Sequence, residues 1–331
     1  MEKLVKTSQE IYEDLQESCT KLFNLDFLNP RPLSLGWLNL KWRVESKEGQ
    51  WVLKQFSKER YSGYDADKVL SEQKTALEEQ QRQYKAGIPC ARLLAHKGEV
   101  MHYSTGGERF VVMEYIAGEH VPAGTLNGQQ MYNLGRTCAR IHNVANDGHY
   151  VQSGPAATQI PSRSERIGYW KSLLDKARQT HILQLLNRQL TAACQWEDDL
   201  IAGCVQGWAH RDLWTDNLLF NGNELAAVLD FDRFAYDYPE LDIARAVMSG
   251  AFNTEDLDRD AAAAFVEGYR TERDLPEGSL SRALYLLWSL ESVWWIKAEM
   301  EGDRPQPLRF AREMDWLATN FTQLQQRFGD L

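Results

Sequence analysis

The chain has 331 residues, 43% of them hydrophobic and 25% charged, with a formal net charge of −10. That length supports one large domain or two lobes with a real core, and the lack of low-complexity tracts or fixed-period repeats argues against disorder and solenoid architectures. The acidic balance and the lack of a large Lys/Arg cluster argue against a nucleic-acid partner; the charge either serves solubility or favours a cationic acceptor such as an amine.

In chain order, Thr7 to Phe23 reads as an amphipathic helix, with Ile11, Leu15, Cys19, Leu22 and Phe23 near helical spacing. Leu33–Leu35 and Leu40–Val44 read as two strands around a turn at Gly36–Asn39, and Trp51 to Phe56 as a third after the turn at Glu48–Gly49. Asp65 to Lys85 runs without Gly or Pro and is expected to be a long helix, stopped at Gly87 and Pro89. Leu93–His96 with Val100–Tyr103, and then Arg109–Ile116, complete the expected strands. After Gly118 the pattern turns helical: Gln129 to Val144, two helices within Ile167 to Ala202, and a helical, Trp-rich remainder from Leu241 to Phe328. The expected domains are therefore residues 1–117, a small β-rich lobe, and residues 118–331, a larger helical lobe, with a ligand cleft between them.

The five cysteines, Cys19, Cys90, Cys138, Cys194 and Cys204, include no C-x-x-C pair, which argues for a reducing cytosol rather than a disulfide framework or a Cys-based zinc site. The start MEKLVKTSQE has no apolar h-region and Ala283–Leu290 is too short to span a bilayer, so the expectation is a cytoplasmic protein without a membrane partner. Nothing in the pattern fixes an oligomeric state.

The chemistry concentrates between Gly207 and Phe234. His210-Arg211-Asp212-Leu213-Trp214-Thr215-Asp216-Asn217 precedes two short apolar runs around Gly222, and the second run ends in Asp230-Phe231-Asp232. Asp212 and Asn217 on the entry loop and Asp230 at the exit can converge. Carboxylates plus one amide oxygen suit Mg²⁺, a hard ion that keeps room for phosphate. Phosphoryl transfer needs one carboxylate to orient and deprotonate a hydroxyl, and an Asp and an Asn to hold metal. Asp232 is either a second metal contact or a solvated turn residue. His210 has the pKa of a general base, but Asp212 already fills that role, so a loop-ordering histidine is the better reading. Lys54 shares its alternation face with Val52 and Phe56, which points it inward, where a lone cation needs a partner. Trp288, Trp294, Trp295 and Trp316 either pack helices or place one or two rings against a cationic acceptor group.

These motifs resemble those of the aminoglycoside phosphotransferase/choline kinase family within the protein-kinase-like superfamily, nearest to its homoserine-kinase-like and spore-coat kinase-like members. The resemblance implies an α+β, two-lobed protein-kinase-like fold, with a small lobe built on a five-stranded antiparallel sheet and a larger helical lobe. It implies Asp212 as catalytic base, Asn217 and Asp230 as Mg²⁺ ligands, His210 as the histidine that orders the loop, and Asp242 as a structural acid in the helix that follows. It further implies ATP as co-substrate, with Lys54 on the α- and β-phosphates, Gly36 and Asn39 in the phosphate-covering turn, and Met113-Glu114-Tyr115-Ile116 as the hinge, where backbone groups of Glu114 and Ile116 meet adenine. The sequence departs from the pattern in two places: the phosphate turn has the single Gly36, and Arg211 stands where small-molecule kinases often carry glycine. The acid that pairs with Lys54 is sought on the helix 65–85, where Glu72 is favoured over Glu78 and Glu79. The expected activity is transfer of the ATP γ-phosphoryl group to a hydroxyl of an amino alcohol, sugar, homoserine-like compound or aminoglycoside. A protein Ser/Thr kinase is disfavoured by the short stretch between Asp232 and Leu241, and a non-catalytic binding or coat protein by the presence of every chemical residue.

Overall fold

The structure is a computed structural model and describes residues 6–33, 39–57, 63–151, 154–300 and 305–331. It divides into two compact units, one of residues 1–118 with 226–232 and the other of residues 119–225 with 233–331.

The first unit opens on helix α1 (Ser8–Phe23). Thr7 starts it with a capping box: its hydroxyl accepts from the Glu10 N–H at 3.2 Å, and the Glu10 carboxylate accepts from the Thr7 N–H at 2.7 Å. Strands β1 (Leu28–Pro32), β2 (Lys41–Ser46) and β3 (Gly49–Phe56) follow, then helix α2 (Ala66–Lys85) and strands β4 (His102–Tyr103) and β5 (Arg109–Glu114). The five strands form one antiparallel sheet in the order β1-β2-β3-β5-β4. Alternation divides its faces. Trp42, Val44, Trp51, Leu53, Phe110 and Val112 pack with Tyr12, Leu15 and Cys19 of α1. Phe56 and Val111 face the other way and pack with Leu77 of α2, and Lys54 lies between them in the same alternation.

The strands depart from the expected set in two places. The first strand is Leu28–Pro32; it is exposed throughout and lies at the sheet edge, where prolines are tolerated, while of the expected strand Leu33–Leu35 only Leu33 lies among the described residues, outside any strand. Leu93–His96 contributes only isolated bridges, Leu93 to Met113 and His96 to Glu99. The reason is local: the Gln81 side chain takes both the N–H and the C=O of Leu93, each at 3.1 Å, and so competes with a ladder.

The second unit holds α3 (Gly128–Ala145), α4 (Arg163–Leu174), α5 (Thr180–Gln195), β6 (Gly207–Ala209) and β7 (Leu218–Asn221). β8 (Glu224–Val228) follows β7 across Gly222, whose φ of 61° suits the turn, and the boundary between the units falls within β8. Next come β9 (Ala235–Asp237), antiparallel to β6, and the helices α6 (Pro239–Ala251), α7 (Arg259–Arg270), α8 (Ser279–Trp295), α9 (Pro305–Thr319) and α10 (Leu324–Phe328). Every residue of α6 is buried, which makes it the axis of this unit. α3 and α7 cross closely enough that a Cβ on Gly135 would stand 2.0 Å from the Phe265 carbonyl oxygen, and one on Gly268 2.0 Å from that of Tyr132. Most of the tail's tryptophans serve packing. Trp288 is fully buried with its indole N–H on Gln189 at 2.8 Å, and Trp295 lies 4.4 Å from Phe310, centroid to centroid. Among the described residues no helix is long and apolar enough to cross a membrane.

Candidate active site

In the second unit, the loop from His210 to Asn217 joins β6 to β7 and is held by one buried carboxylate. Asp242, in the first turn of α6, accepts the N–H groups of His210 and Arg211, each at 2.7 Å. Its Oδ2 also lies 3.1 Å from His142 Nε2, and His142 Nδ1 meets the Tyr269 hydroxyl at 2.8 Å. Burial alone would raise the Asp242 pKa; hydrogen bonds and the facing histidines outweigh it and hold it below the usual carboxylate value. His210 is fully buried, and its Nδ1 accepts the Asp212 N–H at 3.3 Å, so it shapes the loop.

Arg211 has φ 66°, in the left-handed region that favours glycine. Its guanidinium Nε lies 2.7 Å from Asp237 Oδ2, itself bonded by the Thr158 hydroxyl at 2.7 Å, and Asp237 is fully buried. A buried ion pair therefore offsets a backbone conformation that costs about 1–2 kcal/mol for a non-glycine residue.

Asp212 follows with its side chain 25% exposed. The Asn217 amide donates to both the carbonyl oxygen and Oδ2 of Asp212, at 2.9 and 2.8 Å. Asn217 thus spends its amide nitrogen on positioning Asp212. The other carboxylate oxygen of Asp212 lies 3.9 Å from Arg233 Nε.

The first unit carries the second cluster. Lys54 Nζ lies 2.9 Å from Asp230 Oδ1 and 2.6 Å from Asp232 Oδ1. Lys41, directly across the ladder from Lys54, reaches Asp230 Oδ2 at 3.2 Å, and the Asn39 amide donates to Asp232 Oδ2 at 3.1 Å. Burial opposes the charged form of Lys54, but the two aspartates outweigh it and raise the pKa above the ordinary lysine value. For Asp230, burial is likewise outweighed by Lys54 and Lys41, and the carboxyl is held well below its usual range. Asp230 also has a positive φ, 59°, which turns the chain out of β8 so that its side chain and that of Asp232 both reach Lys54.

The structure does not bring Glu72 to Lys54. Glu72 is exposed and sits 3.9 Å from Lys68, four residues back on the same helix, while Lys54 takes its acids from positions 230 and 232. Glu78 is exposed, and Glu79 is fully buried against Arg82 and Gln83. Gly36 lies outside the described residues. Of the expected hinge, Met113 stands across from Val52 on the Lys54 face and packs toward α2. Glu114 binds Arg92 at 2.6 Å, and with Ile116 it borders a groove of about 520 Å³ that Phe23, Leu25 and Trp51 also line, on the α1 side of the sheet.

Two features escaped the sequence reading. Lys41 was legible: the two-residue turn Lys47–Glu48 sets Ser46 opposite Gly49, and counting back along the ladder puts Lys41 opposite Lys54. A small pocket in the second unit, lined by Thr158, Arg211, Arg233, Arg245, Glu291 and Trp294 among others, has no contiguous motif.

The profile of the phosphotransferase enzyme family matches residues 30–280. A homoserine kinase of Bradyrhizobium sp. (strain BTAi1 / ATCC BAA-1182) is 25% identical over 209 residues, 61% of this chain and 59% of that protein. One from Agrobacterium fabrum is 28% identical over 248 residues, 70% of this chain and 66% of that protein. The chain thus spans about three fifths of the length of the homoserine kinases it matches. Among solved structures, a microcompartment-associated aminopropanol kinase gives a TM-score of 0.62 at 18% identity, covering 95% of this chain and 98% of that one. A choline kinase from Cryptosporidium parvum gives 0.59 at 14%, covering 96% and 98%. Such identities speak for the fold alone, and it is the α+β protein-kinase-like fold expected from the motifs.

Proposed function

Since the chain belongs to the phosphotransferase enzyme family, we propose that it moves the γ-phosphoryl group of ATP to a hydroxyl of a small molecule. The observation that carries this reading is Lys54, a buried strand lysine that meets Asp230 and Asp232 from 176 and 178 positions away. Two ammonium groups gathered by two carboxylates form a site that exchanges partners. Nucleotide phosphates take Lys54 and Lys41, and the carboxylate oxygens are freed for a divalent cation. Those oxygens are hard donors, as Mg²⁺ requires, so the residues fit the ion. When bound, Mg²⁺ supplies neutralisation of phosphate charge. Asp230 and Asp232 would hold it, and Asn217 keeps the metal-ligand role that the resemblance implies. Gly36 and the hinge segment at Met113, Glu114 and Ile116 keep the nucleotide roles that the resemblance implies.

Asp212 accepts the proton of the acceptor hydroxyl as the phosphoryl group transfers. Asn217 and the loop's bonds to Asp242 fix its orientation, so the residues' share of catalysis is positioning and charge stabilisation. The segment after Asp232 enters β9 at once and α6 at Pro239, a connection too short for a peptide-positioning loop, which supports a small acceptor. A cytoplasmic location suits an ATP consumer whose cysteines are free thiols.

A coupled ADP-release screen over small hydroxyl compounds, with Asp212→Asn as the blank, tests the reading. Acceptor-dependent ADP release that Asp212→Asn lacks is expected. Nucleotide that neither binds nor turns over would overturn it.

A further inference from the structure

Within the second unit, the loop that carries Asp212 is gripped at both ends. Asp242 of α6 takes the N–H groups at its entry. Its exit is the tight turn Thr215–Asn217, and there the grip comes from Arg309 of α9. Arg309 Nη1 lies 3.1 Å from Asp216 Oδ1. The same guanidinium stands 5.0 Å from the ring centre of Trp214 and 4.6 Å from that of Phe310, and the two rings are themselves 4.3 Å apart. Glu313, one turn further along α9 and buried, lies 3.6 Å from Arg309 Nε and 2.8 Å from Arg245 Nη1. Arg245 is three residues on from Asp242 in α6, so one network of α6 and α9 side chains reaches both ends of the loop.

We infer that Arg309 is a positioning residue for phosphoryl transfer: acting through Asp216 and Trp214, it fixes the turn that presents Asn217 to Asp212. This rests on the kinase reading above and deepens it. Adjacency makes the link short. Asp216 adjoins Asn217, whose amide donates to the carbonyl oxygen and Oδ2 of Asp212, so a displacement of Asp216 passes across one peptide bond to the residue that orients the base. The turn's own backbone bonds are local, Trp214 N–H to the Asp212 carbonyl and Asn217 N–H to that of Trp214, and Thr215 N–H meets the Ser249 hydroxyl of α6 at 3.1 Å. That leaves the side chains of Trp214 and Asp216 to α9. Arginine suits the task, because a planar guanidinium set against two rings keeps little freedom while one edge serves a carboxylate. The loop lies within residues 30–280, which the family profile matches, and Arg309 lies beyond them, so no motif in the loop announces it.

The test measures ADP release by the full chain with Mg²⁺ and ATP, using L-homoserine, ethanolamine, 3-aminopropan-1-ol and kanamycin as acceptors and water alone as the baseline, and follows the fastest of these reactions. Each variant is assayed below its own melting temperature. Asp315→Asn is the control, because it breaks the pair with Arg188 that ties the same helix to α5 at 2.6 and 2.7 Å, away from the loop. A misplacement of about 1 Å can cost about 10²-fold, so Arg309→Gln should lower kcat by at least about tenfold with the KM for ATP unchanged, and Arg309→Lys, which keeps a charge for Asp216, should recover part of the loss. Asp216→Asn should lower kcat as well, and the double variant should lose less than the product of the two single losses. Amide exchange over residues 210–217 should quicken in Arg309→Gln and match wild type in Asp315→Asn. A smaller loss in Arg309→Gln, an equal loss in Asp315→Asn, or fully multiplicative losses in the double variant overturns this inference alone. A wild-type protein that releases no ADP with any of these acceptors overturns the kinase reading beneath it.

Discussion

Asp230 in the first unit and Asp242 in the second are both aspartates whose pKa values lie below the ordinary one, yet they reach that state by different means. Asp242 is sealed: its side chain is 1% exposed and bonded by two backbone N–H groups and a histidine. Asp230 is 23% exposed and is held down by two lysine side chains. Fixed donors make a carboxylate part of the scaffold, because nothing that arrives can offer it better partners. Side-chain ammonium groups leave a carboxylate exchangeable, since on the kinase reading phosphates can take the lysines and a cation can take the oxygens. The same distinction separates Arg211, locked on buried Asp237, from half-exposed Arg233.

Substitutions on the two sides of that divide should behave differently. Asp212→Asn should lower turnover by about 10²–10⁴-fold, the scale of a general base, with an unchanged melting temperature; a loss of stability instead would move Asp212 to the scaffold side. Asp242→Asn should cost stability, on the order of 1–3 kcal/mol, because it replaces an acceptor of two N–H groups by an amide. That cost has a pH signature. The folded Asp242 pKa is depressed, so its contribution is full above the unfolded value of about 3.9 and is lost as pH falls through the folded value. Denaturant melts of wild type and variant should therefore converge below about pH 4, and a gap that stays constant to low pH would contradict the assignment. Arg211→Gly relieves a left-handed backbone but strands Asp237. A net loss of about 2 kcal/mol is expected, from roughly 3–5 for a broken buried pair less roughly 1–2 for the relief. Adding Asp237→Asn should return part of it. Glu72→Ala should change stability by less than about 0.5 kcal/mol and leave the nucleotide KM alone, since Glu72 is exposed and distant in the ion-pair network.

The sequence reading succeeded where information is local. Alternation of Val52, Lys54 and Phe56 assigned the face of Lys54, and His210 to Asn217 marked the loop by spacing alone. The remainder from Leu241 to Phe328, expected to be mostly helical, forms α6 to α10. The reading failed where a side chain answers to a distant residue. Helix phase alone favoured Glu72, but the acids of Lys54 arrive from beyond residue 225, which no local period encodes. Leu93 has strand-like neighbours, yet Gln81 captures its backbone. Arg211 drew notice as a departure at a glycine position, but its partner, Asp237, lies on β9 and is apparent only once β6 and β9 pair. The Arg233 pocket draws on loop, β9-flanking and α8 residues and has no contiguous signature.

The exchangeable cluster is the core of the functional claim, and calorimetric titration of ATP into wild type and Lys54→Met, each with and without Mg²⁺, tests it most directly. Wild type should bind ATP tightly with Mg²⁺, and Lys54→Met should lose at least tenfold in affinity while remaining folded by circular dichroism. Equal affinities for the two proteins would contradict it.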